Sequence, residues 1–333
     1  MKKIATIYVV AFLAIGLLAG CRAQEDKKAL DQVSVRLKWL HQAQFAGLYV
    51  ADQKDFYAEE NIKVTLHPGG VEQGGNALAA SGEEDFAIVG AAQVLVARSQ
   101  GLPVVACAAI YRTDPVVYFA MSGSGIERPQ DFIGKRVAVS PANFVLPAMM
   151  NKLGLSMDQF ELVPLEHDMK TFFDGKVDVW IGYLTDQVIA AREQGYELNL
   201  IYPAHYGIHV YSDVIIASEN MIADNPDLVE RFLRATLRGW RYAIENPDEA
   251  AAITLKYDET LDEAHQKAMM EAQMPLIHTG EDQIGWMKDE IWQGMHEILL
   301  EQGVLTEPLD VEQVYTTEFL QAIYQAGSMY GGE

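Results

Sequence analysis

Val33-Ser34-Val35-Arg36-Leu37 alternates apolar and polar residues with the two-residue period of a half-buried strand. Gln44–Tyr57 then carries apolar residues at helical spacing, and Ile62–Leu66 returns to a strand pattern. Outward from this unit the alternation persists. Gly74–Ser81 opens a helix of small residues, Phe86–Val89 reads as a strand, Ala91–Gln100 as a helix and Val104–Ile110 as a strand. Strands alternating with helices predict a parallel sheet covered by helices.

The rhythm restarts after Val116–Ala120. Strands at Arg136–Val139, Glu161–Pro164, Val177–Ile181 and Leu198–Tyr202 are separated by helical stretches 144–153, 168–174 and 186–194, and Asp213–Ala217 is the last strand. From Asn225 onward the pattern is helical. Asn225-Pro226 starts one helix, and Asn246-Pro247 ends it and starts the next, with proline at a tolerated first-turn position. No internal repeat or low-complexity segment is evident. Two α/β units followed by a helical region predict an α/β fold of two lobes. Open α/β sheets bind ligands beyond the carboxyl ends of their strands, so facing sheets would share one cleft.

The amino terminus sets the compartment. Lys2 and Lys3 precede an apolar stretch from Ile7 to Leu18, too short to span a bilayer. Leu18-Ala19-Gly20-Cys21 closes it and resembles a bacterial lipoprotein signal. That resemblance implies a signal peptide over 1–20, acylation of Cys21, and a polar tether over 21–32. The protein is then expected outside the cytoplasm, held to the membrane by lipid alone, where ATP- and NAD-dependent chemistry is out of place. The chain ends at Gly331-Gly332-Glu333 without a transmembrane helix or signalling module, so sensing would need a separate partner.

The 333 residues, half of them hydrophobic, suffice for a large core. The formal net charge is −22, and loss of Lys2 and Lys3 with the signal takes it to −24. Such a surface repels phosphate backbones, so nucleic acid is not an expected partner. Besides Cys21 there is one cysteine, Cys107, in the run Val104-Val105-Ala106-Cys107-Ala108-Ala109-Ile110, where a buried free thiol is expected. No disulfide framework, CxxC motif or histidine spacing for a metal is present. His41, His205 and His209 have no ligand spacing with one another, and no cofactor is expected.

The segment Arg36-Leu37-Lys38-Trp39-Leu40-His41-Gln42-Ala43-Gln44-Phe45-Ala46-Gly47-Leu48-Tyr49-Val50-Ala51 resembles the opening of substrate-binding proteins of the thiamine-pyrimidine-synthase and alkanesulfonate-binding (NMT1/THI5-like) family. The likeness continues in order through Asp55-Phe56-Tyr57, Pro68-Gly69-Gly70, Asp85-Phe86-Ala87-Ile88 and Ala97–Val104. It extends through Asp131–Val139, Gly175–Val179 and Gly239–Pro247, nearly the whole mature chain. The resemblance implies a type II periplasmic-binding-protein fold, two α/β lobes with a ligand cleft, delivering a solute to an ABC importer permease as a monomer. In that fold the returning chain completes the first lobe, which implies lobe one over 33–117 and 215–333 and lobe two over 118–214.

Candidate ligand-binding residues follow from the expected strand ends. Trp39 ends the first strand, where its indole could stack on a flat ring or belong to the core. Gln44 and Phe45 open the first helix; the amide could read a ring edge or be solvated. Gly70 lies in a glycine-rich strand-to-helix turn whose backbone could approach a ligand, or which could be a plain tight turn. In the second unit Asn143 and Phe144 begin a helix, and Tyr183 and Asp186 follow a strand. Tyr206 and Tyr211 could form a second aromatic wall or pack the hinge. Pyrimidine-binding relatives often carry Tyr-x-x-Asn-Glu-Pro where this chain has Tyr183, then Asp186-Gln187-Val188, and Asp-Trp-x-Pro-Asn where it has Lys38-Trp39-Leu40-His41-Gln42.

A solute-binding lipoprotein is therefore the expected function, its small-molecule ligand a flat nitrogen heterocycle of the thiamine-pyrimidine-precursor or riboflavin type. The alternative is an alkanesulfonate- or nitrate-type anion binder, which would need arginines that the candidate segments lack. An enzyme like the fungal pyrimidine synthase of this fold is disfavoured. The synthase's lysine and histidine fall at Val89 and Gln93 here, and no nucleophile triad is evident.

Overall fold

A computed structural model describes residues 29–70, 74–140, 143–166, 168–280 and 282–326. The signal, Cys21 and most of the tether lie outside the described residues. The described residues from Asp31 onward form one compact unit. The chain runs β1 (Asp31–Arg36), α1 (Ala46–Gln53), α2 (Phe56–Glu59), β2 (Ile62–His67), α3 (Gly75–Ser81), β3 (Phe86–Val89), α4 (Ala91–Ser99) and β4 (Val104–Tyr111). It crosses to β5 (Val116–Met121), β6 (Arg136–Val139), α5 (Val145–Lys152), β7 (Glu161–Pro164), α6 (Lys170–Phe173), β8 (Trp180–Tyr183), α7 (Gln187–Glu193) and β9 (Leu198–Ile201). It returns through β10 (Ser212–Ser218) to α8 (Glu219–Asp224), α9 (Pro226–Glu245), α10 (Pro247–Thr254), α11 (Glu263–Ile277), α12 (Asp289–Glu301) and α13 (Glu318–Gln325).

The first sheet has the order β2-β1-β3-β10-β4, with β1 parallel to β2 and β3, and β10 antiparallel to β3 and β4. The second lobe pairs β5 antiparallel with β8 and β9, and β6 parallel with β7. A parallel bridge, Val137 to Val179, joins the two pieces. The purely parallel sheets expected from the βαβ rhythm are thus mixed. The strand that enters each lobe from the other, β5 or β10, has no crossover helix before it to turn it parallel. The changeovers at 112–115 and 202–211 leave Val116 and Val117 paired in the second sheet and Ser212 to Val214 in the first. Asp31 and Gln32, read as tether, pair with Ile62 and Lys63 inside β1.

The helix expected over Gln44–Tyr57 breaks at Asp55, whose φ is 61°. The helical tail closes the first lobe. The indole of Trp240 on α9 fills the place a Cβ on Gly47 of α1 would occupy, and a Cβ on Gly239 would sit 2.1 Å from the Gly47 carbonyl oxygen. Glycines at this crossing let the two helices touch backbone to backbone. The outer edge of β4 is covered, Ala106 pairing with Tyr315 and Ala109 with Gly285, which removes an open template for aggregation. Cys107 is free and buried, and burial pushes its thiol up to about 12. Among the described residues no helix is long and apolar enough to cross a membrane.

Candidate functional site

The carboxyl ends of β1 and β3 face those of β6 and β8 across a cleft of about 1280 Å³. Leu37, Lys38 and Trp39 follow β1; Asn143, Phe144, Tyr183 and Asp186 come from the second lobe. The volume exceeds the roughly 300–1,000 Å³ of a typical small-ligand site. Its lining is largely apolar, with amides from Gln42, Gln93, Gln187 and Asn76 among it.

Trp39 stands at the mouth, 38% exposed. Its carbonyl accepts from the Gly69 amide at 2.8 Å, and a Cβ on Gly69 would sit 2.0 Å from the Leu37 carbonyl oxygen. Glycine there lets the β2–α3 turn press on the backbone that carries the indole. Gly70 lines the cleft with open space around its Cα.

The floor is an ionic knot. The Lys38 ammonium donates to Asp213 Oδ1 at 2.7 Å, to the Ser212 hydroxyl at 2.9 Å and to the Tyr183 hydroxyl at 3.2 Å. It therefore ties the end of β1 to the returning strand and to the opposite lobe. Burial alone would lower the Lys38 pKa, but Asp213, Tyr183 and Asp114 outweigh it and the ammonium titrates above its ordinary value. Asp213, with φ of 50°, is held in the left-handed region by this contact and by the Gln44 amide, which donates to Oδ2 at 2.5 Å. Asp114, on the first crossing, has its carboxyl pushed up to about 6 by burial, against the pull of Lys38. Tyr183 is raised by burial and stays protonated at neutral pH.

Several expected site residues lie elsewhere or are already engaged. Phe45 is 1% exposed and packs in the core, because the turn over 43–45 buries it beneath α1 rather than toward the cleft. Gln44 lines the cleft, but both ends of its amide are used, accepting from Gln42 and donating to Asp213. Tyr206 packs against the core beside the second crossing. Tyr211 is buried edge-on against Trp292, its hydroxyl accepting from the Lys288 amide at 2.9 Å, and it lines a separate hinge cavity of about 410 Å³. Neither tyrosine forms a wall of the cleft, since the chain there turns toward the carboxyl-terminal helices. Asn143, just before α5, accepts from the Leu146 amide at 2.9 Å and donates to the Tyr118 hydroxyl. Phe144 lines the cleft beside it.

Asp186 accepts from Gln187 and lies 3.7 Å from His265, which also meets Glu193 at 3.2 Å. His41 bonds the Tyr49 hydroxyl, and His205 packs on Tyr202. Lys38 was missed from sequence. The signal available was its place between a strand and the cleft tryptophan, where a lone lysine at a parallel strand's carboxyl end faces the ligand side.

Residues 42–250 match the model of the family described as NMT1/THI5 like. The chain belongs to this family. Within reach of the NMT1/THI5-like chain are the riboflavin-binding protein RibY of Chloroflexus aurantiacus, 30% identical over 313 residues (90% of this chain and 88% of that protein), and the formylaminopyrimidine-binding protein of Halalkalibacterium halodurans, 28% identical, covering 89% and 94%. Among solved structures, the periplasmic sulfonate-binding protein SsuA from Methylobacillus flagellatus superposes with a TM-score of 0.69 at 15% identity, covering 91% of this chain and 96% of that one. The NMT1/THI5-like chain thus has the periplasmic-binding-protein fold, two α/β lobes about a cleft with a helical carboxyl-terminal region.

Proposed function

We propose that the protein is an extracytoplasmic solute-binding lipoprotein that captures a flat nitrogen heterocycle of the riboflavin or aminopyrimidine type and hands it to an ABC importer permease. The cleft carries this reading. Trp39 offers a broad face for stacking, Phe144 and Tyr183 stand on the other lobe, and amides line the space between. Among the described residues lining the cleft the cation is Lys38, and Asp213 already neutralises it. A sulfonate would find no unspent positive charge there, while Asp186 would repel it. The names of the two relatives above support the same ligand class.

The solute-binding role rather than catalysis fits Val89 and Gln93, which line the cleft where a synthase would carry lysine and histidine. The two lobes would close about the crossings at 112–115 and 202–211. Lipid on Cys21 would hold the monomer at the membrane, with the segment before Asp31 as tether. Small molecules co-purifying with the protein, identified by mass spectrometry, and calorimetric titration with riboflavin, an aminopyrimidine and an alkanesulfonate test the ligand class. Tight sulfonate binding with no heterocycle binding would refute it. Cys21→Ser should release a folded protein from the membrane fraction; palmitate labelling that survives the change would sink the anchor.

A further inference from the structure

We infer that the Tyr183 hydroxyl is a directed hydrogen-bond donor to the ligand, and that Lys38 is the positioning residue that makes it one, so the ring is recognised through a carbonyl rather than an amino group at the cleft floor. This rests on the heterocycle reading and narrows it. An ammonium has three protons and no lone pair. The three contacts of Lys38, to Asp213, Ser212 and Tyr183, account for all three protons. Lys38 therefore has nothing left to give a ligand. It also fixes what its partners can do. The Tyr183 oxygen spends acceptor capacity on Lys38, and its own proton must point elsewhere. The Ser212 proton has a taker in Asp213 Oδ1, at 3.4 Å. Among the described residues, the hydrogen bond recorded at the Tyr183 hydroxyl is the one it accepts from Lys38.

Tyr183 lines the cleft, so its proton is the exit of the knot toward the ligand. A lone tyrosine hydroxyl turns to donate or accept as its neighbour demands. This one is held as a donor by a cation that its buried counterion keeps charged. A lactam or imide carbonyl meets such a donor directly, and the nearby charge strengthens the bond. An exocyclic amino group would set donor against donor. On the same lobe Asp186 offers an acceptor. The pair suits a ring that shows a carbonyl on one edge and an N–H on another, as isoalloxazine-diones and pteridine-diones do.

The test measures dissociation constants on the full-length chain with two probes. Riboflavin carries the carbonyl edge; 4-amino-5-hydroxymethyl-2-methylpyrimidine carries an amino group. Tyr183→Phe keeps the ring and removes the proton. It should weaken riboflavin by about 10-fold or more and shift the aminopyrimidine by less than about 3-fold. Lys38→Met combined with Asp213→Asn removes both charges at once and leaves Gln44 an acceptor. The freed hydroxyl can then turn, so the ratio of the two affinities should fall toward one, an outcome that general loosening of the site would not give. Equal weakening of both probes by Tyr183→Phe, or no change in either, overturns the inference. If Trp39→Ala still weakens heterocycle binding in that case, the heterocycle reading stands without it. If neither probe binds the unaltered chain while an alkanesulfonate does, the reading itself falls.

Discussion

The two lobes share one strand order but not one way of building and covering the sheet. In the first, β2-β1-β3-β10-β4 is a continuous sheet of five strands; in the second, the equivalent order β7-β6-β8-β5-β9 is broken into two and three strands. In both, the strand that arrives from the opposite lobe runs antiparallel between the third and fourth of the lobe's own strands. The first lobe has the helical tail packed on it, with Trp240 and Trp292 wholly buried. The second puts residues such as Phe132, Leu146 and Met149 into the same main core, adds a satellite core of seven buried residues from Val117 to Val188, and has a poorly covered edge in which Glu161, Leu162 and Pro164 are exposed. Equal topology, with the sheet broken and its edge uncovered in one lobe, teaches that the first lobe is the anchor and the second the lighter element. Local opening is easiest where buried apolar area is least, and a lobe that must move to admit a ligand belongs at that end.

The comparison breaks first at the helix crossing of the anchor lobe. Trp240→Ala empties the space between α9 and Gly47 and should cost about 3–5 kcal/mol. Urea unfolding should show a lowered midpoint at unchanged slope; a change below about 1 kcal/mol would mean that the tail does not hold the first lobe. In the second lobe Phe172 stacks edge-on against Phe119 at 5.3 Å and packs on Trp180. Phe172→Ala should strip exchange protection from amides of β5 and β8 while β1, β3 and β4 keep theirs. Simultaneous loss in both lobes would erase the distinction drawn between them.

Trp39 belongs to the anchor lobe but faces the space between. Trp39→Ala should weaken heterocycle binding by about 5- to 150-fold, on roughly 1–3 kcal/mol per stacked ring. The melting temperature of the unliganded protein should barely move, since the indole is over a third exposed and stands outside the buried core. A large loss of unliganded stability would assign Trp39 to the core instead.

The smallest effect concerns the tie between lobes. His265 on α11 reaches Asp186 and Glu193 on and beside α7, and its pKa is raised by the bond to Asp186, against desolvation, with Glu193 adding to it. A raised folded value means that the stabilisation is complete below the ordinary value of 6.5 and is lost as pH rises through the folded one. His265→Gln should therefore lower the melting temperature at about pH 5.5 and match the unaltered protein by about pH 8.5. A difference that grows with pH would contradict the tie.

Much of the architecture was written locally. Phe86–Val89, Arg136–Val139 and Glu161–Pro164 form strands with the bounds that their patterns give, and Trp39, Phe144, Tyr183 and Asp186 line the cleft because each follows a strand or opens a helix there. Hydrophobic period and strand-end position are properties of a few consecutive residues, so sequence alone determines them. The antiparallel strands, the burial of Phe45 and Tyr211, and the spent amide of Gln44 are not of that kind. Neither is the cleft floor, where Lys38 meets Tyr183 across 145 residues and Asp213 across 175. A buried charge takes its partner from whatever the fold brings within a few ångströms, and that choice is made only when the two lobes and the returning strand come together.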